Sequence, residues 1–150
     1  TKTPSPSPPS ASASPKPSPT ATKACADSAI RVSVATDKKT YPVGSPVKLT
    51  LTITNKGEVA CIRDVGAKAN TLLITSGGEA VWSSDDCNPG GDANDVTMKP
   101  GDVYEVKLTW EGAVTQGSCP ATPDQATAGA YDAQGRNGDI DSAEVRFELT

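Results

Sequence analysis

The chain has 150 residues, no histidine, four cysteines, and a formal charge of −4 from 14 basic and 18 acidic residues. That length accommodates one domain with a tail. Without histidine there is no Ser-His or Cys-His dyad and no imidazole for zinc, and an acidic chain with few aromatics is poorly suited to the phosphate contacts that nucleic acid requires.

Residues 1–24, TKTPSPSPPSASASPKPSPTATKA, hold seven of the 13 prolines, ten Ser or Thr, four Ala and three Lys. Nothing there is apolar beyond alanine, so the segment is expected to be a disordered Pro/Ser/Thr-rich linker of extended polyproline character. Residues 25–150 are then the folded domain. With three lysines left in the tail, it carries 11 basic against 18 acidic residues, a formal charge of −7. Four cysteines without C-x-x-C spacing point to two disulfides and therefore to an oxidising compartment. No apolar run approaches the roughly 18 residues of a membrane span. The chain begins at Thr1 without a methionine, as expected of a processed or cloned fragment whose export signal or anchor has been removed. The expected location is extracellular or at the cell surface, tethered by a segment upstream of this fragment.

In chain order, Ala29–Ala35 (AIRVSVA) alternates, with Ile30, Val32 and Val34 on one face. Gly44, Ser45 and Pro46 close a turn. Val47, Leu49, Leu51 and Ile53 then alternate with Lys48, Thr50, Thr52 and Thr54 in the most regular strand of the chain. Pairing the two so that Ile30 faces Ile53, Val32 faces Leu51 and Val34 faces Leu49 keeps every apolar side chain on one side. Extended outward, that register sets Cys25 opposite about residue 58, a few residues from Cys61. The expected bridges are therefore Cys25–Cys61 and, joining two loops, Cys87–Cys119. Cys61–Val65 reads as a short strand, Thr71–Thr75 (TLLIT) as a central or crossing strand, and Glu79–Ser83 (EAVWS) as its hairpin partner. Asp85–Asp95 is a loop by composition. After the turn Lys99-Pro100-Gly101-Asp102, Tyr104, Val106, Leu108 and Trp110 alternate with Glu105, Lys107 and Thr109. Glu111–Ala128 reads as a long loop. Gly129–Gln134 and Ala143–Leu149 form a closing hairpin around a turn region Gly135–Asp141. No segment has a helical period. Seven or eight strands at this spacing indicate an all-β fold, an immunoglobulin-like antiparallel β-sandwich.

Several stretches together carry a family likeness. They are Tyr-x-x-Gly-x-Pro-Val-x-Leu-x-Leu-x-Ile-x-Asn at 41–55, Gly-x-x-Val-Trp at 78–82, Met-x-Pro-Gly-Asp followed by Tyr-x-Val-x-Leu-x-Trp at 98–110, and Gly-x-Tyr at 129–131. The chain resembles the bacterial intracellular proteinase inhibitor domain family. It looks still more like small exported or membrane-tethered actinobacterial proteins in which such a domain follows a Pro/Ser/Thr-rich linker. The resemblance implies a seven- to eight-stranded immunoglobulin-like sandwich. The chain departs from the inhibitor pattern in its cysteines and in lacking an aromatic-rich central strand.

Paired carboxylates occur at Asp85/Asp86 and Asp139/Asp141, where solvated turn acids are the ordinary reading, and no enzyme activity is expected. No cofactor and no metal is expected. Calcium is weighed only because Asn137, Asp139 and Asp141 have the i, i+2, i+4 oxygen spacing and because Asp85, Asp86, Asp92, Asn94 and Asp95 share one loop; neither completes the motif with its distal Glu and central Gly. Trp110 continues an apolar face and belongs in the core. Trp82, just before the acidic loop with Asp85 and Asp86, is the aromatic best placed to bind a ligand. Three functions are consistent with these features. The first is a non-catalytic exported immunoglobulin-like module on a flexible stalk, with a binding or envelope role. The second is a protease inhibitor acting through disulfide-held loops, and the third a carbohydrate or wall-polymer binder using Trp82. The partner is an unidentified protein or envelope polymer rather than nucleic acid, and a monomer is expected.

Overall fold

Alternating apolar residues make strands, and strands dominate the described residues. The computed structural model describes residues 23–150. The expected linker lies outside them except for Lys23 and Ala24, which already belong to the domain: the Lys23 carbonyl accepts the Ile62 N–H at 2.8 Å, and Ala24 bridges Ile62 in parallel. A single 3-10 turn, Asp27–Ala29, is the only helical piece among the described residues. The strands are β1 (Ile30–Thr36), β2 (Thr40–Tyr41), β3 (Val47–Asn55), β4 (Cys61–Asp64), β5 (Asn70–Ser76), β6 (Glu79–Ser83), β7 (Asp95–Met98), β8 (Val103–Trp110), β9 (Ala113–Val114), β10 (Asp124–Gln125), β11 (Gly129–Asn137), β12 (Ile140–Asp141) and β13 (Val145–Leu149).

They form an immunoglobulin-like sandwich. One sheet runs β1-β3-β8 and the facing sheet β2-β13-β11-β5-β6, with β12 folded back on β11. Two small ladders, β4-β7 and β10-β9, lie beside them. The chain changes sheet between β1 and β3: Tyr41 leaves the first sheet, and β2 pairs in parallel with β13. Tyr131, near the start of β11, donates its hydroxyl to the Thr127 carbonyl at 2.6 Å. That is the tyrosine corner of immunoglobulin-type sandwiches.

The core between the sheets forms two clusters, and β3 contributes to both. Val47 and Leu49 pack with Tyr41, Leu72, Trp110 and Phe147 at one end. Leu51 and Ile53 pack with Ile30, Val32, Met98 and the Cys25 and Cys61 side chains at the other. The Trp110 ring lies 5.7 Å from Tyr131 and 6.1 Å from Phe147. A Cβ on Gly135 would lie 2.3 Å from Leu51 Cδ1, so the glycine in β11 is what lets the two sheets close over Leu51.

Three details differ from the reading of the sequence. The β1–β3 register is two residues further on, with Ile30 opposite Asn55, Val32 opposite Ile53 and Val34 opposite Leu51. A shift of two keeps the same faces buried, so apolar pairing alone does not distinguish the two registers. In the observed register the buried Asn55 is the residue opposite Ile30. Its amide donates to the Val59 and Met98 carbonyls at 3.0 and 2.9 Å and its oxygen accepts the Gly57 N–H at 2.9 Å, which extends β3 beyond the apolar run. The stretch Glu111–Ala128 is not all loop, because β9 and β10 pair within it. The turn region Gly135–Asp141 is mostly strand: β11 runs to Asn137 and pairs with β12 around a turn at Gly138 and Asp139.

Candidate functional site

The three-stranded sheet is narrower than the six-stranded sheet it faces, and the difference opens a cleft beside β8. It measures about 660 Å³ and is lined by Tyr104, Glu105, Val106 and Leu108 of β8, by 65–67 and Asn70, and by Ser84, Asp85 and the 88–94 loop. Tyr104, Val106 and Leu108 alternate as a core strand should, yet each is only half-buried, because among the described residues no strand lies beyond β8. The segment that would supply one, between β6 and β7, is the acidic, glycine-rich loop.

Backbone direction along β8 follows from its neighbours. The Asn55 N–H donates to the Asp102 carbonyl at 3.0 Å, one step before β8 begins and in register with it. Bonded and non-bonded positions alternate in an antiparallel ladder, so Tyr104, Val106 and Leu108 turn their backbone groups toward β3. Glu105, Lys107 and Thr109 turn theirs to the open edge. Among the described residues no hydrogen bond reaches those three backbone positions from that side.

The far wall of the cleft is built by Asp64. Its carboxylate accepts the Gly66 and Asn94 N–H groups at 2.9 and 2.8 Å, and the Asn94 carbonyl accepts the Val65 N–H at 2.9 Å. The backbones of 66 and 92–94 run so close that a Cβ on Gly66 would lie 2.4 Å from the Asp92 carbonyl oxygen. Behind this wall is a buried polar network. Arg63 donates Nε and Nη2 to Asn137 Oδ1 and its carbonyl at 2.5 and 2.9 Å, while Asn137 Nδ2 donates to Asn70 Oδ1 at 2.7 Å and to the Asp64 carbonyl at 2.9 Å.

The residues singled out from the sequence are distributed as follows. Asn137 is buried with its amide committed to that network, and Asp141 accepts Arg136 Nε at 2.8 Å. Asp139 sits at the exposed turn. The i, i+2, i+4 spacing does not converge on one site, because a strand sends Asn137 inward while its turn sends Asp139 out. Among the described residues no group of three or more His, Cys, Asp or Glu is arranged to hold a metal ion. Asp85 accepts the Thr71 hydroxyl at 2.8 Å. Asp86 clamps a neighbouring loop: one carboxylate oxygen accepts the Thr115 hydroxyl and the Ser83 and Gly117 N–H groups, the last two at 3.2 Å. Trp82 is half-buried with its ring 6.5 Å from that of Trp110.

Two disulfides, Cys25–Cys61 and Cys87–Cys119, leave no free cysteine among the described residues. The first is buried beneath β4. The second is exposed and ties the acidic loop to an exposed stretch running from Gln116 to Gln125. Gln116 is the only non-glycine described residue at positive φ, at 52°, and the Val81 carbonyl holds it by accepting the Thr115 and Gln116 N–H groups at 2.9 and 3.1 Å. The β9–β10 ladder fixes the other end of the stretch. No helix of the described residues is long and apolar enough to cross a membrane.

Sequence reasoning missed the cleft, the clamp at Asp86 and the polar network. The available signal for the cleft was the absence of any strand pattern between Ser83 and Asp95, which leaves β8 at an edge.

No family model matches the chain, and no curated protein does. Among solved structures it is similar to part of an alkylpurine DNA glycosylase of Pseudomonas fluorescens bound to DNA, at 10% identity and a TM-score of 0.50, over 81% of this chain and 30% of that one. It is similar also to part of a β-glucosidase from Erythrobacter marinus, at 12% identity and a TM-score of 0.49 over 81% of this chain and 15% of that one. A third likeness is to the sporulation control protein Spo0M of Bacillus subtilis, at 18% identity and a TM-score of 0.45 over 81% and 49%. The chain thus spans less than half the length of each of these structures, and the likeness to the first of them is one of fold alone.

Proposed function

We propose that this chain is a non-catalytic, exported immunoglobulin-like module that works by binding, carried at the cell surface on its Pro/Ser/Thr-rich segment. The observation that carries the reading is the pair of disulfides, which fits an oxidising compartment. The engagement of the loop carboxylates supports it. Asp85 and Asp86 hold backbone and hydroxyl groups in place rather than facing each other across a cavity, which is the work of structural acids. The motif resemblance to linker-borne actinobacterial domains agrees with the same reading. Surface shaving tests it: in intact cells making the protein, added protease releases peptides of the domain. Recovery from the cytosol with four reduced thiols overturns it.

A second reading, protease inhibition, is favoured by the stretch from Gln116 to Gln125. It is exposed, anchored by Cys87–Cys119 and Asp86 at one end and by the β9–β10 ladder at the other. Preorganisation of this kind lowers the ordering cost of binding. Slowing of a subtilisin-like or trypsin-like protease by the oxidised chain, abolished when Cys87–Cys119 is reduced, supports it. Unchanged rates across such a panel remove it.

A further inference from the structure

We propose that the open edge of β8 is a docking site for an extended polypeptide segment of a partner, one with apolar residues at alternate positions and Lys or Arg between them. The inference rests on the reading of the domain as a binding module and names the class of partner.

Three observations meet at this edge. First, β8 pairs with β3 over eight consecutive residue pairs without a bulge or proline, so its outer side is straight and long. Natural sandwiches blunt or cover such an edge. The outer edge of β6 is partly covered in this way, since the Val81 carbonyl is taken by Thr115 and Gln116. At β8 the backbone groups of Glu105, Lys107 and Thr109 have no partner among the described residues. Second, the cleft lies alongside that edge, floored by the half-buried Tyr104, Val106 and Leu108. From Tyr104 to Leu108 is about 14 Å of strand, enough for four or five residues of an added strand. Every second side chain of such a strand enters the cleft, which requires apolar residues at that spacing.

Third, charge selects the residues between. Asp85, Asp92 and Glu105 line the cleft, and among the described residues no Lys or Arg does. The one cation on β8, Lys107, contacts Glu105 only at 3.8 Å with both side chains exposed, a contact that is easily displaced. A segment bringing Lys or Arg meets the negative charge of Glu105 on β8 and of Asp92 on the far wall of the cleft. An acidic segment is repelled.

The test titrates the full, oxidised, isotope-labelled chain with an end-blocked heptapeptide alternating valine and lysine. The expected result is saturable binding. Amide exchange at Glu105, Lys107 and Thr109 slows at least about tenfold, while Val106 and Leu108, already bonded to β3, change little. A peptide alternating valine and glutamate binds at least about tenfold more weakly. Replacing Lys107 by Pro removes one edge N–H without touching the β3 ladder and weakens the valine–lysine peptide about tenfold or more. The exposed pair Asp92→Lys with Glu105→Lys leaves folding intact and reverses the peptide preference. The proposal is overturned by no saturable binding up to millimolar peptide, or by equal binding of a peptide N-methylated on its edge-facing nitrogens. It is also overturned if those three amides are protected without peptide because a second copy occupies the edge. Failure of the peptide with a chain that is still oxidised and surface-exposed removes this site and leaves the module reading standing.

Discussion

At the scale of single residues, the buried polar groups hold the loops in place. Asp86 gathers three donors from two segments onto one oxygen. Asp86→Ala leaves the Ser83 and Gly117 N–H groups and the Thr115 hydroxyl without that acceptor and is expected to cost about 1–3 kcal/mol. Chemical denaturation reads the loss, and proteolysis accelerates within 115–119. Asn137→Ala strips partners from Arg63, Asn70 and the Asp64 carbonyl together, with an expected cost of roughly 2–4 kcal/mol. Asp37 and Tyr41 couple stability to pH. The Tyr41 hydroxyl bond holds the exposed Asp37 carboxyl below its usual range. Burial, and then the Asp37 bond, raises the Tyr41 phenol above its ordinary value. The Asp37 contribution is therefore present above the usual carboxylate pKa of about 4 and fades as pH falls through the lowered value. The Tyr41 contribution is present below about pH 10 and is lost as pH rises through the raised value. In Asp37→Asn the acid-side dependence shrinks, and ultraviolet titration finds Tyr41 ionising at lower pH. An unmoved titration curve contradicts the coupling.

Among the elements, β3 and β8 show what was legible in the sequence and what was not. The period of two over residues 47–54 identified the strand and its buried face. It did not fix the register, because a slip of two residues leaves every face unchanged. For β8 the same alternation marked Tyr104, Val106 and Leu108 as apolar-facing. How deeply they are buried depends on a neighbour beyond the strand, and only the tertiary structure shows that none of the described residues supplies one. Asn137 reads from spacing alone as a loop oxygen donor, whereas the extension of β11 turns it inward. The motif Gly-x-Tyr at 129–131 contains the tyrosine corner. Tyr131→Phe keeps the ring in the core and loses the bond to Thr127, an expected cost of about 1 kcal/mol measured as a lowered denaturation midpoint.

For the whole molecule, the disulfides are the largest separable contributions to stability. They close loops of 36 and 32 residues, for which the chain-entropy model gives about 3–4 kcal/mol each. Net stability of a domain is roughly 5–15 kcal/mol, so reducing both is expected to leave it marginal or unfolded. The two do not open together. Cys87 and Cys119 are exposed whereas Cys25 and Cys61 are buried, so mild reductant opens Cys87–Cys119 first and frees the 116–125 stretch before the sandwich melts. The measurement that bears most directly on a disulfide-framed sandwich built for an oxidising compartment is peptide mapping of the native chain under non-reducing conditions, with thiols blocked before digestion. The predicted result is two linked pairs, Cys25 with Cys61 and Cys87 with Cys119, and no blocked thiol. A Cys61–Cys87 linkage, or four blocked cysteines in protein taken from its native compartment, contradicts it.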